Sequence, residues 1–144
     1  MFKETISQIV LAVTFITVAF AWWKGGRPER IGSLFNAIFS IGAVVFQALS
    51  HKAFGTIPIL IADGLLATGF LILAFRYASL WLAAAMVLQA ASFLIHASLL
   101  MNLLPTHRLY YAAMNVLGGL VMIVILVGTA GAWYRRTHPR GALA

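Results

Sequence analysis

Residues 57–104, IPILIADGLLATGFLILAFRYASLWLAAAMVLQAASFLIHASLLMNLL, are apolar almost without interruption. A helix crosses the hydrocarbon core of a bilayer with roughly 20 apolar residues, so this stretch is far too long for one span. Arg76 with Tyr77 is its polar break. A tight turn there divides it into two helices, over about 57–75 and 79–103.

Working outward, residues 102–108 carry Pro105 and end the second of these helices. A further apolar run covers about 109–133, and a basic tail follows over 134–144. Upstream, a run over about 31–50 ends at His51-Lys52, and Pro58 suits the first turn of the next helix. The first run, about 6–23, stops at Lys24-Gly25-Gly26-Arg27-Pro28-Glu29-Arg30, where glycine and proline oppose helix continuation. Lys3, the apolar run and Ala19-Phe20-Ala21 together resemble a cleavable signal peptide, but the segment is expected to stay as a helix. The expected fold is all-α: a single domain over 1–144, an integral membrane bundle of about five transmembrane helices.

Composition agrees. Hydrophobic residues make up 62% of the chain and charged residues 9%, against about 45–50% and about 25% in soluble domains. So few charges cannot solvate a globular surface, and the apolar surface must face lipid. The net charge of +7 therefore points to orientation and lipid headgroups rather than nucleic acid. With no cysteine, disulfides, thiol catalysis and cysteine-ligated metals are excluded.

Cytoplasmic segments of membrane proteins are enriched in Lys and Arg. Lys24, Arg27, Arg30, Arg76, Arg135, Arg136 and Arg140 fall on one side of the predicted bundle, and Lys3, Lys52 and Arg108 on the other. The expected orientation is N-terminus outside and C-terminus in the cytoplasm, in a bacterial inner (plasma) membrane. Lys24, Arg27, Arg30, Arg135 and Arg136 are expected to anchor lipid headgroups. Trp22, Trp23, Tyr77, Trp81, Trp133 and Tyr134 lie near the same predicted interface, and Tyr110 and Tyr111 near the other. Amphipathic rings favour both.

Polar groups in hydrocarbon are costly and turn toward protein or water. Helical spacing places Ser33, Asn36, Ser40, Gln47 and Ser50 on one stripe, and Gln89, Ser92 and His96 on another. Asn115, Gly118, Gly119 and Thr129 share a face, and Ser7, Thr14 and Thr17 lie close in angle. Small and hydroxyl residues are expected to serve helix packing. Asp63, His96 and Asn115 should lie at matching depth, on the order of 10 Å below the outer surface. With Gln47, His51, Gln89 and Asn36 they make the candidate polar intramembrane cluster. Such a cluster can satisfy itself as a buried contact. It can relay protons or hold a cation or small solute. His51 and His96 can also be set on two helices as axial haem ligands, a weaker reading because His51 sits at the boundary. A two-histidine metal site with Asp63 stands as an alternative of the same weight. His107 and His138 fall in polar connections and read as solvated.

No phosphate loop, zinc-protease motif, nucleophile elbow or cysteine pair is present, and the connections are too short for a catalytic domain. No catalytic residue and no resident metal or cofactor is expected. The echo of Gln47-Ala48-Leu49-Ser50 in Gln89-Ala90-Ala91-Ser92 is too short to establish a transporter repeat. The expected function is non-enzymatic: an accessory or assembly subunit of a larger membrane complex, with the bilayer and other membrane chains as partners. The alternative is a small channel or proton-coupled transporter with Asp63 and His96 in its path.

Overall fold

The computed structural model describes residues 2–49, 57–101, 103 and 107–138, with the side chains at 2–7, 10, 43, 44, 46–49, 107 and 108 outside that description. Five α-helices follow in order: α1 (Phe2–Lys24), α2 (Arg27–Leu49), α3 (Ile57–Tyr77), α4 (Leu80–Leu100) and α5 (His107–Thr137). In α3 and α4, and over Leu109–Thr137 of α5, the chain is long and apolar enough to cross a membrane; α1 holds a shorter apolar stretch, Leu11–Lys24.

Several boundaries differ from those expected: α1 already starts at Phe2 rather than near 6, and α4 stops at Leu100 rather than near 103. α2 begins at Arg27 rather than near 31, so Pro28 and Glu29 lie in its first turn instead of a loop. Proline is tolerated there because first-turn amides have no intrahelical acceptor. Glu29 also reaches back to accept the Gly26 N–H at 2.8 Å, the third-position half of a capping box. α5 continues past residue 133 and takes Arg135 and Arg136 into its last turn, where cations complement the helix dipole. The turn between α3 and α4 is as tight as the sequence requires. Ala78 adopts a positive φ of 45°, and Ser79 is extended before the helix restarts.

Each helix packs on its neighbours in sequence, α1 closes onto α5, and α2 also touches α5, so the helices form a ring. The core draws Leu66, Phe70 and Leu73 from α3, Trp81, Leu82 and Ala85 from α4, and Val121 and Ile125 from α5. The outer surface carries Phe75, Leu80 and Trp23, each more than three-quarters exposed.

Close approach at one end of the ring depends on two glycines. A Cβ at Gly128 of α5 would lie 2.5 Å from Trp81 Cγ, and one at Gly32 of α2 would lie 2.8 Å from Trp81 Cη2. The indole is thus clasped between two bare backbones. Small residues allow such contact where lipid supplies no hydrophobic drive between helices.

Four buried hydroxyls bond within their own helices. Thr17 donates to Val13 O (2.8 Å) and Thr129 to Ile125 O (2.8 Å). Ser33 donates to Arg30 O (3.1 Å) and Ser92 to Leu88 O (3.2 Å). Each satisfies itself one turn back and serves packing through its size.

Candidate functional site

Gln89, Ser92 and His96 fall on the stripe of α4 that also buries Trp81, Leu82 and Ala85. The stripe faces Asp63 on α3. Gln89 Nε2 donates to Asp63 Oδ1 at 2.7 Å, and His96 Nδ1 lies 2.7 Å from Asp63 Oδ2. His96 is buried, while the Asp63 side chain keeps 15% exposure.

His96 Nδ1 is also 3.1 Å from Ser92 O. A peptide carbonyl only accepts, so a hydrogen bond between these two atoms has Nδ1–H as its donor. Asp63 Oδ2 is then a close neighbour of Nδ1 without an aligned hydrogen bond of its own. Tyr110, at the start of α5, meets the imidazole edge-on, with ring centroids 5.5 Å apart at 79°. Tyr111 meets Tyr110 in turn at 5.1 Å. This places an amide and an imidazole on one carboxylate between two membrane-length helices, with an aromatic ring against the imidazole. The arrangement sets an imidazole nitrogen beside a buried carboxylate oxygen that lacks a hydrogen bond.

The remaining expected members are placed elsewhere. Asn36 is buried, but its Nδ2 approaches Met122 Sδ at 3.5 Å between α2 and α5. Asn115 does not join Asp63: it is exposed. Its helix turns the inward stripe of Tyr110, Val121 and Ile125 toward the core and carries Asn115 off that stripe. A Cβ at Gly118 or Gly119 would meet nothing within 4 Å, so among the described residues nothing covers α5 at these two positions. The side chain of Gln47 and all of His51 lie outside the described residues, as does the His51 half of the haem pairing. Among the described residues, no group of three or more His, Cys, Asp or Glu could hold a metal.

The basic residues divide as well. Arg136 donates to Lys24 O and to Ala132 O, joining the ends of α1 and α5. Lys24 Nζ lies over the Trp23 ring at 4.5 Å and the Trp133 ring at 5.0 Å. Both cations thus have partners within the protein, although Arg136 is exposed like Arg27, Arg30 and Arg135.

Sequence reasoning missed a second polar contact. Glu29, 3% exposed, accepts Trp81 Nε1–H at 3.2 Å through Oε1 while Oε2 takes the Gly26 amide. The spacing Gly26-Arg27-Pro28-Glu29 is a helix-start signature that could have revealed it. Tyr110, read as an interfacial ring, carried no signal for its contact with His96.

No family model matches this chain, and neither a curated protein nor a solved structure matches it.

Proposed function

We propose that the chain is a five-span, non-enzymatic protein of the bacterial inner membrane, N-terminus outside and C-terminus in the cytoplasm. In this reading it is an accessory or assembly subunit that works by lateral helix contact within a larger membrane complex. α1 and α2 have 23 residues each, about 34 Å of helix, enough for a core of roughly 30 Å. Their packing into the same ring as α3–α5 supports equal passage. Glu29, inside the first turn of α2, has both oxygens bonded, which lowers its cost near lipid.

The observation that carries the reading is the uncovered face of α5. Asn115 is exposed on a membrane-length apolar helix, beside Gly118 and Gly119 with open space above them. A carboxamide facing hydrocarbon lacks partners, and adjacent glycines let another backbone come close. Both features are met by a helix from another chain, of the same or a different kind.

The test is light scattering and mass spectrometry of the chain purified in mild detergent. The expected result is a protein mass well above the 15.6 kDa of one chain, with a stoichiometric partner. Asn115→Leu combined with Gly119→Leu should release it, and Ile123→Ala, on another exposed position, should not. A monomer in the native membrane as well as in detergent would sink the proposal.

The alternative, proton-coupled transport, draws support from the Asp63–His96 pair at 2.7 Å. It predicts proton flux in liposomes that Asp63→Asn abolishes.

A further inference from the structure

Two apolar clefts flank the turn between α3 and α4. The larger, about 670 Å³, runs between α4 and α5 over Trp81, Gly128 and Gly131. The smaller, about 300 Å³, lies on the other side of the turn, between Leu71, Phe75 and Met86. Ala78, Ser79 and Leu80 line both. Leu80 is 90% exposed and stands between the clefts as a partition.

Among the described residues, Arg135 is the only charged side chain lining either cleft. Its guanidinium lies beside Gly131: a Cβ there would be in ordinary contact, 3.8 Å from an Arg135 terminal nitrogen. Lys24 and Arg136 are turned into contacts within the protein, while Arg135 is exposed at the cleft. Ser79 makes no side-chain cap on α4, so its hydroxyl is available at the same mouth. A cation and a hydroxyl at one level, with an apolar cleft descending on each side, complement one ligand shape: an anionic head with two hydrocarbon tails.

We infer that the α3–α4 turn holds a single anionic diacyl phospholipid astride Leu80, its phosphate at Arg135 and Ser79 and one acyl chain in each cleft. The inference rests on the membrane-spanning reading, under which the positive-inside bias puts this turn at the leaflet that carries anionic lipid. It does not depend on a protein partner.

The test is native mass spectrometry of the full chain in detergent, titrated separately with dioleoyl phosphatidylglycerol and dioleoyl phosphatidylcholine. One phosphatidylglycerol should bind in preference to phosphatidylcholine. Arg135→Gln should cut that preference about fivefold, the share of one basic residue beside an anionic lipid. Gly131→Leu or Ala84→Leu, which fill the larger cleft, should weaken retention of the lipid, and Arg27→Gln should leave it unchanged. Equal retention of phosphatidylcholine would overturn the site. So would equal loss in Arg27→Gln and Arg135→Gln, which marks diffuse charge attraction, or competition by chainless glycerophosphoglycerol at the same concentration as the lipid. A chain that selects phosphatidylglycerol without a protein partner loses only the subunit reading. One that has a partner but no lipid preference loses only this inference.

Discussion

Trp81 Nε1 donates a hydrogen bond to Glu29 Oε1 across 3.2 Å, tying the first turn of α4 to the first turn of α2. The carboxylate that receives it also closes the start of its own helix through the Gly26 amide. One side chain therefore fixes where α2 begins and how α4 leans against it. The Trp81 ring lies between Gly32 and Gly128, so α2, α4 and α5 converge on a single residue.

Removing either end of that bond strands a buried polar group. Trp81→Phe leaves Oε1 without its donor, and Glu29→Ala leaves both the indole and the Gly26 amide without an acceptor. A hydrogen bond to a charged group is worth about 1.5–3 kcal/mol. Glu29→Ala should be the costlier change and Glu29→Gln the milder, because an amide oxygen still accepts. Thermal unfolding in detergent should rank the three in that way; Glu29→Gln as damaging as Glu29→Ala would mean that the negative charge, not the acceptor, is what matters.

The glycine contacts make a paired forecast. Gly128→Ala places a methyl at 2.5 Å from Trp81 Cγ and should cost about 1–3 kcal/mol as overpacking. Gly118→Ala meets open space within the chain and, in the chain freed of any partner, should be neutral or slightly stabilising, since alanine is the better helix former by about 1 kcal/mol. In a double-mutant cycle, Trp81→Leu should absorb most of the Gly128→Ala penalty. Additive costs would show that Gly128 matters for a reason other than the indole.

How much of this was legible in the sequence depended on whether a signal was local. The break between α3 and α4 is marked by Arg76 in an unbroken apolar run, and the buried stripe of α4 is marked by Gln89, Ser92 and His96 at helical spacing. Periodicity also brings Asp63 to the right depth for His96. It does not say which stripe meets which, because that depends on helix rotation set by contacts far apart in the chain. Asn36 therefore finds Met122, 86 residues away, rather than Asp63. Asn115 looks outward although it shares depth with the cluster. Glu29 was hidden by its neighbours: between Pro28 and Arg30 it reads as loop, and only the Gly26 amide and Trp81 reveal a buried acid.

The Asp63–His96 pair distinguishes structure from transport. If the pair is a buried contact, Asp63→Leu takes the acceptor from Gln89 Nε2 and the partner from His96 and should cost about 1–3 kcal/mol. Asp63→Leu with His96→Leu should cost clearly less than the sum of the single changes, because the contact between the two side chains is lost only once. Unfolding by detergent titration measures the cycle. A double variant that is stable yet inactive in the parent complex would assign the pair to function.

Topology is open to a direct chemical check, because the chain has no cysteine of its own. Single cysteines can be placed at Ser79 in the α3–α4 turn, at Met101 where α4 ends, and at His138 just past α5. α4 separates Ser79 from Met101, and α5 separates Met101 from His138, so a spanning bundle must alternate the three positions. Ser79→Cys and His138→Cys should react with a membrane-impermeant maleimide only after the cells are opened, and Met101→Cys should react in intact cells. The basic residues Arg76, Arg135 and Arg136 lie beside the two protected sites, as the positive-inside rule requires. Met101→Cys protected and the other two labelled would keep the spans and reverse the orientation. Labelling of Ser79→Cys and Met101→Cys from the same side would remove α4 as a span, and with it the equal passage of the five-helix ring.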